Sequence, residues 1–185
     1  MTRSRCIKVG QVAETTILVH WGSPFVLAVG TLVLAVYVLP GLEPGWGGPT
    51  YWAAGALIAL AEHAAGVLHE VGHALVATAS GQRVRSITLY GLGAATQRTG
   101  GRQTARDRLL IALAGPASHF LLAGLLAALR QLPAIGHGPA YHVLTLLVLT
   151  NLCVGLLNLL PISPLDGWRA AGALALAARR KASAT

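Results

Sequence analysis

The stretch Ala64-Ala65-Gly66-Val67-Leu68-His69-Glu70-Val71-Gly72-His73-Ala74-Leu75-Val76-Ala77 places two histidines and a glutamate inside an apolar segment long enough to cross a membrane. His69 and His73 are separated by one helical turn, so both imidazoles share a helix face. Both rings can therefore reach a single tetrahedral zinc ion, and Glu70 can accept a proton from a water that the metal polarises. The apolar flanks disfavour the alternative, a surface helix with a fortuitous histidine pair.

The composition favours a lipid environment. Hydrophobic residues make up 54% of the 185 residues and charged residues 11%, whereas a soluble domain carries about 25% charged residues. About 20 consecutive apolar residues cross the hydrocarbon core as a helix. The sequence predicts an all-α membrane protein, a multi-pass helical bundle forming one domain over residues 1–185. Its expected elements are four spans and a short terminal helix, at 16–39, 52–79, 109–129, 141–160 and 167–178.

Basic residues predict the orientation of the bundle. They are concentrated before the first span, between the second and third spans, and at the end of the chain, whereas residues 40–50 and 131–140 contain no Lys or Arg. Because cytoplasmic loops carry an excess of basic residues, both termini and residues 81–108 are predicted to be cytoplasmic, in a protein of the cell membrane. The net charge of +8 is then a topology signal, and no nucleic-acid partner is expected.

Residues 83–97 differ in kind from the spans on either side. They include residues that favour strands and glycines that interrupt helices, namely Val84, Ile87, Leu89, Tyr90, Gly91 and Gly93. We interpret the segment as a small hairpin or pair of strands at the cytoplasmic face, between helices two and three. An ordinary basic loop is the alternative.

Three polar or helix-breaking clusters fall at one depth in this topology. The His69–His73 pair lies in the inner half of the second span, roughly 10 Å from its cytoplasmic end at 1.5 Å per residue. The third span carries Gly115-Pro116-Ala117-Ser118-His119 at a similar depth, and the fourth ends in the polar stretch 158–167. Ionisable groups inside a membrane normally face the bundle interior and mark function. The three clusters are therefore expected to meet.

The third cluster supplies a candidate for the remaining metal ligand. A catalytic zinc ion takes three protein ligands and keeps one open position. Asp166 is the only acidic residue of its cluster and is the expected third ligand beside His69 and His73. The prolines at 161 and 164 would unwind the helix and let the carboxylate turn toward the metal. Alternatively, Asp166 caps the terminal helix.

Chemistry alone suggests roles for three further polar residues. Glu70 is expected to be the general base. Asn158 offers an amide donor that would stabilise the oxyanion of a tetrahedral intermediate, and a hydrogen bond between spans is its alternative. Glu62 lies two turns before His69 on nearly the same face; it either lines a water-filled cavity or makes a structural polar contact with another span.

These motifs together resemble the site-2 proteases, the intramembrane zinc metalloproteases. The resemblance covers roughly residues 9–170 and rests on His-Glu-x-x-His at 69–73, the Gly-Pro motif at 115–119, and Asn158-x-x-Pro161-x-x-x-Leu165-Asp166-Gly167. It implies a three-helix catalytic core with one zinc ion per chain, held by His69, His73 and Asp166, and Glu70 as catalytic acid and base. It also implies cleavage of transmembrane or membrane-associated protein segments in regulated intramembrane proteolysis, often to release a transcription factor.

The sequence departs from the family pattern in two places. The Gly-Pro motif commonly ends in asparagine, and His119 stands there instead. This departure puts the substrate-positioning donor of that position in question, although an imidazole can also donate a hydrogen bond. The stretch after Asp166 is too short for the further spans, CBS pair or PDZ module of other members. Gating is therefore expected to differ or to depend on a regulatory membrane partner or a homo-oligomer.

Two other function classes fit parts of the pattern. A membrane metal or ion transporter would use the His/Asp cluster as a transit site, but it does not require Glu70 between two ligands. A catalytically silent membrane scaffold is disfavoured because no candidate ligand or base is missing. Zinc content together with cleavage of a helical membrane substrate separates the three.

Overall fold

The computed structural model describes residues 6–12, 15–90, 93–101 and 103–182. Gly91 and the basic residues at positions 3 and 5, which enter the predictions above, lie outside these ranges. Within them, the chain is mostly helical with one small sheet, as the sequence predicts.

Four stretches of helix in the described part of the chain are long and apolar enough to cross a membrane. The first runs through α1 (Ser23–Val33), a π-helical turn (Leu34–Val38) and α2 (Leu39–Leu42). The others are α3 (Gly48–Ala79), α4 (Ala105–Arg130) and α5 (Pro139–Asn158). The prediction of four spans is confirmed. The terminal helix α6 (Asp166–Ala182) is longer at both ends than predicted.

The start of the first span was wrong by several residues. Residues 16–20 belong to strand β2 (Thr15–His20) rather than to a membrane helix. The β-branched run Thr15-Thr16-Ile17 favours an extended backbone, and the helix begins only at Ser23, with Pro24 in the first turn. Proline is favoured there because its missing N–H would be unpaired in any case. The strand is half-buried along its length, and its apolar residues Ile17 and Val19 pack against the core.

The sheet has four strands, in the order β1-β2-β3-β4. Strand β1 (Cys6–Val12) pairs antiparallel with β2, β2 pairs parallel with β3 (Arg83–Tyr90), and β3 pairs antiparallel with β4 (Gly93–Thr99). The predicted hairpin is thus confirmed and the plain-loop alternative is wrong. What the sequence reading missed is that the amino-terminal segment supplies the other two strands. Consequently β3 is an inner strand and β4 lies at an edge.

The interior is formed where the sheet meets the helices. Ala74 and Ala77 at the end of α3 pack with Ile87 and Leu89 of β3 and with Ile111 of α4. On the outside of the bundle, large apolar side chains are exposed, including Leu121, Leu125, Leu156 and Leu157. Such a surface is suited to lipid, since large contiguous apolar patches are rare on water-soluble proteins. The chain is a multi-pass membrane protein.

Candidate metal centre

Helix α3 brings His69 and His73 together in the interior. The two rings lie edge to face with centroids 4.7 Å apart, and their Nε2 atoms are 3.1 Å apart. Both residues are buried, His73 almost completely. The one-turn spacing expected from the sequence is therefore realised with both nitrogens directed at one point.

Asp166 reaches the same point from the first turn of α6. Its Oδ2 lies 3.0 Å from Nε2 of His69 and 3.1 Å from Nε2 of His73. The ligand atoms of a tetrahedral zinc ion, each about 2.0–2.2 Å from the metal, are separated by roughly 3.3–3.6 Å. Two imidazoles and a carboxylate at these separations fit a zinc ion in donor type and in spacing, and among the described residues they form the one such cluster of three. Their role as ligands stays a prediction.

The hydrogen bonds around the cluster leave Nε2 of His73 free to bind a metal. Nδ1 of His73 lies 2.6 Å from the carbonyl oxygen of Ile111, so Nδ1 carries the proton and Nε2 keeps its lone pair. Nδ1 of His69 is buried without a partner among the described residues.

Helix α4 approaches α3 so closely that two glycines are required. A Cβ atom at Gly115 would overlap Nε2 of both His73 and His69. A Cβ atom at Gly72 would collide with Ser118 and lie 2.8 Å from the carbonyl oxygen of Ala114. The Gly-Pro motif of the third span therefore acts by its lack of bulk, which leaves space for the cluster.

Glu70 and Asp166 are each held by a hydrogen bond from outside the histidine cluster. Thr96, on β4, donates a hydrogen bond to Oε2 of Glu70 at 2.6 Å. Arg169, one turn into α6, donates to Oδ1 of Asp166 at 3.1 Å. The sheet thus positions the expected base, and α6 leaves Oδ2 of Asp166 to the histidines.

A groove of about 930 Å³ runs between α1 and α3 and reaches the cluster. Its walls are mostly apolar on the side of α1, and its floor carries His69, Glu70 and Asp166. His119 and Asn158 also line it. The groove brings every predicted site residue except His73 to one surface, and His73 lies directly behind it.

His119 belongs to a buried polar chain that crosses three helices. Its Nδ1 lies 2.8 Å from Oδ1 of Asn151, while Nδ2 of Asn151 donates to the carbonyl oxygen of Leu147 at 2.8 Å and to Oε1 of Glu62 at 3.3 Å. Since an amide oxygen only accepts, Nδ1 of His119 carries the proton and Nε2 of the neutral ring is an acceptor. The expectation that Glu62 contacts another span is met, because Thr150 also donates to its carboxylate.

Asn158 occupies the last residue of α5. Its Nδ2 donates to the carbonyl oxygen of Val154 in the same helix at 3.0 Å. This hydrogen bond lies within one helix, so it is not the contact between helices that was the alternative prediction for Asn158. Its place in the groove keeps one amide proton for a substrate, so the proposed oxyanion role stays a prediction.

The sequence reading missed several polar partners of the site. Asn151 is buried at 1% exposure, and its position as an amide within an uncharged span was a usable signal, because polar groups in membrane helices seek partners. Thr96 and Arg169 gave no such signal. Their roles depend on the packing of β4 and α6 against α3, which no local pattern encodes.

Comparison with known proteins agrees with this geometry. The model of peptidase family M50 matches residues 57–136. Rip3 of Mycobacterium tuberculosis, assigned to the zinc metalloproteases, is 37% identical over 169 residues, which are 88% of this chain and 42% of that protein. A zinc metalloprotease of Methanocaldococcus jannaschii is 34% identical over 103 residues, 56% of this chain and 30% of that protein.

The fold has a counterpart among solved structures. The site-2 protease from Methanocaldococcus jannaschii superposes with a TM-score of 0.58 at 25% identity, covering 91% of this chain and 71% of that one. The chain spans less than half the length of the curated relatives it matches. The motifs, the fold and these similarities agree with one another. The chain is therefore similar to peptidase family M50 over residues 57–136, and its fold is similar to that of a site-2 protease.

Proposed function

We propose that this protein is an intramembrane zinc endopeptidase that cleaves membrane-protein segments entering the groove between α1 and α3. The observation that carries the proposal is the meeting of His69, His73 and Asp166 within hydrogen-bond distance of one another at the floor of an apolar groove. Apolar walls suit a transmembrane segment, and a buried polar cluster below them suits hydrolysis of its backbone.

The residues of the site divide the chemistry among them. His69, His73 and Asp166 would hold one zinc ion, which supplies Lewis acidity toward water and the substrate carbonyl. Glu70, oriented by Thr96, accepts a proton from the attacking water and delivers it to the leaving amine. Asn158 donates toward the developing oxyanion.

We assign His119 a different role from that of the asparagine that commonly ends the Gly-Pro motif. With the Nδ1 proton committed to Asn151, Nε2 of the neutral ring accepts hydrogen bonds. It would therefore hold a substrate N–H, whereas an asparagine could donate to a carbonyl.

The orientation and the biological setting belong to the same proposal. The arginine-rich connection between α3 and α4 supports a cytoplasmic sheet, and two membrane crossings separate β2 from β3, so both halves of the sheet lie on one side. Release of a cytoplasmic segment of the substrate would then serve regulated proteolysis, with a transcription-factor regulator as the expected substrate class.

The Glu70→Gln variant tests the proposal. Gln is nearly isosteric and leaves all three proposed ligands in place, so zinc content should be unchanged. Loss of the proton carrier should reduce cleavage by about 10⁴-fold or more. The measurement is zinc by elemental analysis together with a search for membrane proteins that accumulate uncut in cells expressing the variant.

Glu43→Gln serves as the control, since Glu43 pairs with His142 and lines neither the groove nor the proposed zinc site. It should retain zinc and most of the activity. Cleavage by the Glu70→Gln variant at the wild-type rate with zinc bound would exclude Glu70 as the base. Metal flux across vesicles without any cleavage would favour the transporter instead.

A further inference from the structure

A second cavity, of about 510 Å³, lies where α3 ends and α4 begins. Three arginines from three different elements line it: Arg98 of β4, Arg108 of α4 and Arg169 of α6. The described residues in its wall include no acidic side chain. This basic cavity differs in character from the apolar groove. The proposed proteolytic site shares two of its lining residues, His73 at its inner end and Arg169, which contacts Asp166.

The polar groups of the basic cavity are incompletely paired. Gln82, only 4% exposed, has its Nε2 buried without a hydrogen-bond acceptor among the described residues. Nothing in the described part of the chain makes an ion pair or hydrogen bond with the guanidinium of Arg98 or Arg108, and Arg169 uses one nitrogen on Asp166. A buried amide donor without an acceptor is unfavourable, because it has lost its hydrogen bonds to water. Such a group calls for an occupant with acceptor oxygens.

The electrostatics of the basic cavity point the same way. Burial, and after it the nearby charge of Arg169, lowers the pKa of Arg98, with Glu70 and Asp166 acting in the opposite sense. The charged form of Arg98 is thus held beside a like charge in a partly buried place. A bound anion would relieve both effects at once.

The place of the basic cavity restricts the source of the anion. It opens at the end of α3 (Ala79) and the start of α4 (Ala105), which is the boundary between two membrane spans and the sheet. Trp168, also in its wall, is 58% exposed. Tryptophan is enriched at the headgroup level of membranes, and arginines in pockets between membrane helices bind anionic headgroups.

We propose that the basic cavity is a phosphate-binding site, formed by Arg98, Arg108, Arg169 and the amide of Gln82, that takes the headgroup of an anionic phospholipid. Guanidinium groups match the oxygens of a phosphate through paired N–H donors. The bound headgroup joins β4, α4 and α6, and so ties together elements that also position Glu70 and Asp166. The site is independent of proteolysis and would bind lipid in a catalytically inactive chain.

The test uses the full chain purified in neutral detergent, with the Glu70→Gln substitution as an inactive background. Native mass spectrometry and the thermal unfolding midpoint are measured with phosphatidylglycerol, with phosphatidylcholine and with inorganic phosphate. Phosphatidylglycerol should bind and raise the midpoint, and phosphatidylcholine should not. The Arg98→Gln and Arg108→Gln variants should each weaken binding by about tenfold or more, as expected for loss of a charge-assisted hydrogen bond.

Arg106→Gln is the matched control, because Arg106 is exposed on the same helix turn as Arg108 and does not line the basic cavity. It should bind phosphatidylglycerol as the parent does. Equal weakening in this control would reduce the effect to general surface charge and overturn the proposal. Binding of inorganic phosphate with the same variant pattern would assign the site to a free phosphate compound, whereas no binding of either ligand would exclude a phosphate site.

Discussion

The two oxygens of Asp166 have separate partners. Oδ2 faces both histidines and Oδ1 accepts from Arg169. A carboxylate that reaches a metal through one oxygen and is held by an arginine through the other is a common arrangement at zinc sites. The division predicts that removing each partner will have a different consequence.

Asp166→Ala should lower zinc content strongly, because two imidazoles alone form a weak site. Arg169→Gln should keep most of the metal, since it removes only an outer hydrogen bond, worth about 10- to 100-fold in affinity at comparable sites. Both are measured by elemental analysis of detergent-purified protein at several free zinc concentrations. Full occupancy in the Asp166→Ala variant would remove Asp166 from the proposed ligand set.

At the scale of residues, the sequence predicts the candidate metal ligands but not the residues that hydrogen-bond to the site. The one-turn spacing of His69 and His73 and the lone acid after Pro164 are local features, so they can be recognised without a fold. The contacts of Thr96 with Glu70 and of Asn151 with His119 join residues far apart in the chain. They follow from packing between elements, which a local pattern does not contain.

The contact between α3 and α4 leads to a prediction at the scale of elements. Gly115→Ala inserts a methyl group where Nε2 of both histidines lies. The helices must then separate, which should abolish zinc binding and destabilise the protein by about 1–3 kcal/mol. Thermal unfolding and metal analysis measure both effects.

Gly124→Ala is the control for that change. It lies on the same helix with open space around its Cβ position, so it should keep zinc and leave stability unchanged or raised by about 0.5–1 kcal/mol. If Gly115→Ala behaves like Gly124→Ala, the close approach of the two helices is not needed for the metal.

The edge of the sheet carries a second prediction. A helical substrate must be locally extended before its carbonyl is accessible, and pairing with an exposed strand supplies that conformation. Strand β3 does not offer such an edge, because it lies between β2 and β4. The edge beside Glu70 is β4, whose Thr96 contacts that residue.

Successive N–H groups of β4 point alternately to β3 and to the free edge, and proline removes the N–H at its own position. At least one of the two variants Ala94→Pro and Ala95→Pro therefore removes an N–H from the free edge and should reduce cleavage. Zinc content should remain. Val9→Pro, in the strand at the opposite edge, should cleave normally. Full activity in both β4 variants would exclude substrate pairing there.

The difference between predicted and observed elements has a physical cause. Residues 16–39 form one uncharged apolar run, and hydropathy does not distinguish a buried strand from the start of a membrane helix. Only the β-branched residues and Pro24 mark the change. The fourth span and its break at Pro161 were easier to place, since charges and prolines bound them.

The topology of the whole molecule is the last prediction. In a background lacking Cys6 and Cys153, cysteines at Gly45 and Ile135 should react with impermeant reagent from outside the cell. A cysteine at Ala95 should react only after permeabilisation. Gly45 has free space at its Cβ position, so the substitution is not expected to disturb the fold. Labelling at position 95 from outside would reverse the proposed orientation.

The parallel pairing of β2 with β3 also bears on how the protein is made. Thr15 hydrogen-bonds the carbonyl oxygen of Val84, a residue 69 positions later, and two membrane crossings separate them. At ordinary rates of synthesis, roughly 5–20 residues per second, the first strands wait about 3 to 14 s for a partner. If only one of these two spans inserts, the two halves of the sheet end on opposite sides of the membrane and do not meet. The sheet closes only over a correctly inserted pair of helices, and until then its exposed strand edge is available to chaperones and to proteases.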